Sequence, residues 1–172
     1  MPEATGTYEE IDGRPVVRFE RTFPHPIAEV WDAVTTPHRL EKWFPTSVEF
    51  ARLRAGEPIT FRFAMDRFPP MSGEIREVAA PTRLVFTWGG DELTFELAET
   101  EGGAACRLSF TVALDSAGKA ARDAAGWDDC LDMLSEVVSG ETPRRPSKSP
   151  GWQDRYAQYR AGGLPATAPI PE

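Results

Sequence analysis

Residues 117–139 read AGKAARDAAGWDDCLDMLSEVVS. Ala120, Ala124, Trp127, Leu131, Leu134 and Val138 recur at steps of three and four, so a helix here presents one apolar stripe about five turns long. Ser116 is placed to cap its start and Gly140 to end it. Gly126 interrupts the helix at a cost of about 1 kcal/mol relative to alanine, which points to a close backbone approach or a slight bend. A stripe of this length needs an apolar surface to lie on, and the preceding chain supplies one.

Between residues 47 and 114 the apolar period is two. Ile59, Phe61, Phe63 and Met65 alternate with Thr60, Arg62, Ala64 and Asp66. Leu84, Phe86 and Trp88, then Leu93, Phe95 and Leu97, then Cys106, Leu108, Phe110, Val112 and Leu114 repeat the pattern. Shorter runs lie at Val48–Phe50 and Gly73–Val78. Turn residues separate the runs, notably Pro69-Pro70, Gly89-Gly90-Asp91 and Glu101-Gly102-Gly103. The spacing predicts six antiparallel strands, each with one apolar and one wet face.

Ahead of them, residues 14–22 form an acceptable strand. Ile27, Val30, Trp31 and Val34 make a short helical stripe, with Trp31 docking that helix on the sheet. Thr36 and Pro37 are suited to the cap and first residue of a second short helix. Leu40, Trp43 and Phe44 fall on its inner side, and Pro45 stops it. The expected class is therefore α+β: a strand, two short helices, a curved antiparallel sheet, and one long C-terminal helix that the sheet wraps. Residues 1–13 are expected to be a flexible N-terminus and 14–140 the folded domain. Residues 141–172 divide into a linker (ETPRRPSKSPG), a short helical segment (WQDRYAQYR) and a disordered tail (GGLPATAPIPE).

A length of 172 residues suits one domain with a tail. The net charge of −8, without a basic stripe, argues against nucleic acid and against an anionic membrane surface. No apolar run approaches the roughly 18–20 residues of a membrane helix, and the acidic N-terminus lacks the pattern of a secretory signal, so a cytoplasmic location is expected. Cys106 and Cys130 fit no metal spacing and are expected to pack as small hydrophobes. His25 and His38 have no partner spaced for a triad, and there is no phosphate-cradling loop or dinucleotide fingerprint; neither a cofactor nor a metal is expected.

Three segments, FPHPIAEVWDAVTTPHRLEKWF (23–44), GEIREVAAPTRLVFTW (73–88) and GWDDCLDMLSEVV (126–138), together with the element order, resemble the START-like (SRPBCC) superfamily. Within it the chain is similar to the activator of heat-shock-protein-90 ATPase homology family. The resemblance implies the helix-grip fold, in which the curved sheet holds the long helix, commonly with a ligand cavity between them. The helix offers alanines at 117, 120, 121, 124 and 125 opposite large rings. Either the rings fill this space as a solid core, or a gap is left for a ligand.

The candidate lining comprises Trp43, Phe61, Phe63, Met65, Phe86, Trp88, Phe95, Phe110, Trp127 and Leu131, supplying desolvation and shape. Phe44 is a further candidate for ligand contact. Arg62 has outward parity. Asp128 and Asp129 are expected to face solvent unless Gly126 turns one inward, where a buried carboxylate acts as an acid or base. The leading expectation is a non-catalytic binder of a small hydrophobic or aromatic molecule. Superfamily relatives that cyclise or aromatise polyketides imply an enzymatic alternative, which requires an ionisable group inside the cavity. The family name implies a third, a co-chaperone or other protein-interaction module. An exposed patch of Trp152, Tyr156 and Tyr159 would support it, unless those rings fold back onto the domain.

Overall fold

The computed structural model describes residues 3–143 and 150–170. Strands β1 (Thr7–Ile11) and β2 (Arg14–Phe23) form a hairpin. Asp12 and Gly13 both take left-handed backbone there, with φ of 52° and 79°, the geometry a two-residue hairpin turn needs. The expectation of a flexible N-terminus is thus corrected for these residues: they make an edge strand, and the Asp-Gly step was its signature.

Two short helices follow, α1 (Ile27–Thr35) and α2 (Pro37–Leu40). Thr36 does not cap α2 as expected. Its hydroxyl donates instead to the Asp32 carboxylate at 2.6 Å. That bond and Arg39 at 2.6 Å hold the Asp32 carboxyl below its usual range. Six strands then run as β3 (Ser47–Glu49), β4 (Pro58–Arg62), β5 (Met71–Ala79), β6 (Arg83–Trp88), β7 (Asp91–Thr100) and β8 (Ala105–Ala113). A 3-10 turn leads into the long helix α3 (Ala120–Val138), and α4 (Pro150–Ala161) comes last.

The eight strands form one antiparallel sheet in the order β1-β2-β8-β7-β6-β5-β4-β3. Pairing of β8 with β2 joins the meander to the first hairpin, and it aligns Phe19, Phe110 and Phe95 across adjacent strands. A register shift between Ile75 and Glu77 bends β5, as bulges do. Gly73 lies so close to the next strand that a methyl carbon there would sit 2.5 Å from the Thr87 carbonyl oxygen, so no larger residue fits without backbone movement. The concave face carries the core, and α3 lies across it. All six stripe residues, from Ala120 to Val138, are buried as the spacing required.

The C-terminal segment is not a loose tail. α4 packs on α3, with Tyr156 and Tyr159 buried, so these rings fold back onto the domain. Beyond it the chain runs as a strap. The Ala121 N–H donates to the Pro165 carbonyl and the Ala168 N–H to the Gly118 carbonyl, each at 3.0 Å. Arg122 donates to the Pro169 carbonyl, also at 3.0 Å. The tail expected to be disordered is corrected on this ground. Most of the expected linker, residues 144–149, lies outside the described residues. Among those described, no helix is long and apolar enough to cross a membrane.

Candidate ligand-binding cleft

The trough between sheet and α3 is filled by aromatic rings over most of its length. Phe95 packs on Phe110 at 4.7 Å between centroids and on Phe86 at 5.7 Å. Trp43 meets Phe95 edge-on at 6.2 Å, and its indole N–H donates to the Ala33 carbonyl at 2.9 Å. Phe44 sits among Phe61, Phe86, Trp88 and Trp127, all within 6 Å. Such offset and edge-on pairs are the favourable arrangements of aromatic quadrupoles. Trp43, Phe61, Phe86, Phe95, Phe110 and Leu131 are each at most 2 % exposed. They were expected to line a cavity; the five rings among them pack on one another and on Phe44, and none of the six borders the cleft described below.

The trough opens at one end into a cleft of about 760 Å³, within the size range of small-molecule sites. Phe63, Met71 and Trp88 come from the sheet side. Gly126, Trp127 and Cys130 come from α3, and Trp152 from α4. Trp88 and Trp127 stand at 6.1 Å, 70° to one another. Phe44 backs both, at 5.0 and 5.5 Å, but neither Phe44 nor Trp43 reaches the cleft. Of the candidate lining, therefore, Phe63, Trp88 and Trp127 come together in an open site.

Met65 does not join them. β4 ends at Arg62, and the chain turns through Met65 and Asp66 with φ of 57° and 51°. Alternation stops there, so Met65 is 98 % exposed. Phe63 turns back toward Phe68, with centroids 5.3 Å apart. Arg62 is solvated as expected, paired with Glu49 at 3.1 Å.

The expectation that Asp128 faces solvent is overturned, since it is fully buried. It does not enter the cleft. It accepts from Arg21 at 2.9 Å, from the Thr5 N–H at 3.3 Å, and from the hydroxyls of Thr5 and Tyr159. The Tyr159 oxygen in turn accepts the Gly6 N–H at 2.7 Å. Burial, and the bond to the Asp128 carboxylate, push the Tyr159 hydroxyl far above its ordinary value. Arg155 completes the cluster, donating to Asp129 at 2.7 Å, Asp132 at 2.8 Å and the Glu3 carbonyl at 3.0 Å. This polar lock ties the N-terminus, β2 and α4 to the outer side of α3. Its signal was Arg21, which shares the inward parity of Val17 and Phe19. A guanidinium on an apolar face requires a buried anion.

The charges around the cleft are committed to each other. Asp91 is 2 % exposed, and its carboxyl is raised by burial, opposed by Lys119 and the Asp115 N–H. The Lys119 ammonium lies 2.8 and 3.0 Å from its oxygens and 2.9 Å from Asp115. Burial works against that ammonium, but its bonds to Asp91 and Asp115 outweigh it and hold its pKa above the usual value. Arg122 pairs with Asp123 at 2.8 Å, and Asp129 with Arg155. Both cysteines are buried, and neither forms a disulfide. The residues missed from sequence are Trp152, Gly126 and Asp91. Gly126 did carry a signal, as an unforced glycine inside an apolar helix.

A family profile described as Activator of Hsp90 ATPase homolog 1-like protein matches residues 24–139. No curated protein matches significantly. Among solved structures, a conserved protein of unknown function from Enterococcus faecalis, EF2215, superposes with a TM-score of 0.74 at 21% identity, over 91% of this chain and 89% of that one. The solution structure of CalU16 from Micromonospora echinospora gives 0.72 at 23%, over 92% and 93%. DynU16, from the dynemicin biosynthetic locus, gives 0.65 at 24%, over 76% of this chain and 49% of that one. These likenesses establish the helix-grip fold.

Proposed function

The chain belongs to the Activator of Hsp90 ATPase homolog 1-like family, and from that premise we propose that it is a small-molecule-binding protein whose cleft takes a hydrophobic, planar ligand. The observation that carries this reading is the open cleft of about 760 Å³ with Trp88, Trp127 and Trp152 around it. The ligand lies at the mouth of the trough rather than in its interior. A ligand that buries about 300 Å² of apolar surface gains on the order of 7 kcal/mol before the costs of association, at ~25 cal/mol per Å². That supports micromolar binding without a charged contact. DynU16 comes from a biosynthetic locus, which makes biosynthetic small molecules a sensible first panel.

The test uses fluorene as a neutral tricyclic probe and reads tryptophan fluorescence. Wild-type protein is expected to bind it in the micromolar range. Gly126→Leu, which projects a side chain into the cleft while improving helix propensity, is expected to weaken binding at least tenfold. Absence of binding, or binding untouched by Gly126→Leu, contradicts the reading.

One observation favours a second, enzymatic reading: Asp91 is a buried carboxyl with a raised pKa in the cleft wall, and such groups serve acid–base chemistry. Because Lys119 and the Asp115 N–H hold its oxygens, its role would be indirect, fixing the Lys119 ammonium at the cleft wall where a bound chain is oriented for cyclisation. Under this reading Asp91→Asn abolishes conversion of a polyketide-like substrate yet leaves fluorene affinity intact. Unaltered conversion would remove Asp91 from any such role.

A further inference from the structure

Trp152 lies outside the family-matched region, which ends at residue 139. It is carried by α4, an arm fixed by Tyr159 and Arg155 to the polar lock around Asp128. Its indole stacks on Tyr156 at 5.0 Å and 8° between planes, which sets the ring's orientation. Its Nε1 comes 3.9 Å from where a methyl on Gly126 would stand, so the indole nitrogen lies at the α3 side of the cleft. A side chain longer than a methyl at position 126 would displace it.

Buried indole N–H groups ordinarily find a hydrogen-bond acceptor, as that of Trp43 does. Among the described residues, the indole nitrogens of Trp127, which is buried, and of Trp88 and Trp152, which are partly buried, have no such partner. Nor are they sealed away. The described side-chain atoms that are both unpartnered and closed to solvent are Arg21 Nε, Thr46 Oγ1 and Thr100 Oγ1. These three nitrogens therefore keep some contact with solvent, and that of Trp152 lies at the α3 side of the cleft. The carboxylates and cations near them are already paired, Asp91 with Lys119, Arg122 with Asp123 and Asp129 with Arg155. A charged ligand would have to break one of these pairs, which disfavours it. A neutral ring system with an oxygen at its edge meets flat apolar walls and free donors.

We propose that Trp152 is a specificity-determining residue of the cleft, and that the ligand class is an uncharged planar polycycle bearing a carbonyl or similar acceptor oxygen, which the Trp152 indole N–H receives. The inference rests on the binding reading above and adds the acceptor and the residue that reads it. The arm beyond the shared family domain thereby sets which ligand is taken, while the domain supplies the apolar walls.

Fluorene and 9-fluorenone differ by one carbonyl oxygen and share their planar frame, so their affinity ratio isolates the hydrogen bond. Wild-type protein is expected to prefer fluorenone about fivefold, the net weight of one hydrogen bond against water. Trp152→Phe keeps an aromatic wall without the donor; it trims the wall for both probes alike, so the fluorenone-to-fluorene affinity ratio should fall to about one. Trp152→Ala should weaken both probes. Far-UV circular dichroism and the unfolding midpoint verify that both variants fold, and a structural role alone would not move the ratio in Trp152→Phe. Equal binding of the two probes by wild-type protein overturns the acceptor class. A preference retained by Trp152→Phe overturns the assignment to Trp152. In either case fluorene still binds, and the cleft reading survives. If neither probe binds, the cleft reading falls and this inference falls with it.

Discussion

Phe95 and Trp127 face the same trough, yet their surroundings differ in kind. Phe95 has rings on every available side, from Trp43, Phe86 and Phe110. Trp127 has Phe44, Trp88 and Phe110 around it and, although 5 % exposed, also borders the cleft. The same residue class therefore does opposite work within one groove. Where the chain supplies rings from both walls, the interior closes. Where α3 offers Gly126 and the sheet turns away at Gly89-Gly90, it stays open. Aromatic content alone does not locate a pocket; the absence of an opposing side chain does.

This contrast can be broken most forcefully at its packed end. Phe95→Ala should destabilise the fold by about 3–5 kcal/mol, as truncation of a buried ring does, measured by urea or guanidinium unfolding. A loss below about 1 kcal/mol would mean the interior is looser than the ring contacts indicate. Next in size is Tyr159→Phe, which deletes the hydroxyl between Asp128 and Gly6. A loss of about 1–3 kcal/mol is expected from the groups left unpaired.

Tyr159 also predicts a pH dependence. Its folded pKa is raised, so its contribution is fully present below its unfolded value of about 10 and is lost as the pH rises through the folded value. Above about pH 10 the wild-type unfolding midpoint should fall more steeply than that of Tyr159→Phe; parallel slopes would contradict the lock around Asp128.

The open end predicts smaller effects. Gly126→Ala should stabilise the protein by up to about 1 kcal/mol, because an added methyl meets only Trp152 Nε1, at 3.9 Å. Destabilisation there would show that the close approach of Trp152 needs the bare backbone. Met65→Ser should change stability by no more than about 0.5 kcal/mol, in keeping with its exposure. A larger loss would place Met65 back among the packed residues.

The helix-grip architecture was legible because its signals are periodic. The 3–4 stripe of α3 and the alternation of β4 to β8 each depend on many residues at once. The candidate site was legible only in part. Phe63, Trp88 and Trp127 follow from parity and stripe. Met65 fails because alternation cannot announce its own end: the Met65-Asp66 turn is left-handed with no glycine to mark it. Trp152 and the strap to Ile170 were hidden for another reason. Their order comes from long-range bonds to Asp128, Asp129 and Gly118, and a Pro/Gly-rich segment held by such bonds has no local pattern. Asp128 could have been found by pairing it with Arg21, since each is anomalous alone and satisfied by the other.

The central claim is that the ligand meets the mouth of the trough and not its interior. A nitrogen-15 and proton spectrum of the five tryptophan indoles, titrated with fluorene, tests it directly. The signals of Trp88, Trp127 and Trp152 should shift while those of Trp43 and Trp31 stay in place. A shift at Trp43 with Trp88 and Trp152 unmoved would put the ligand in the interior and contradict the account.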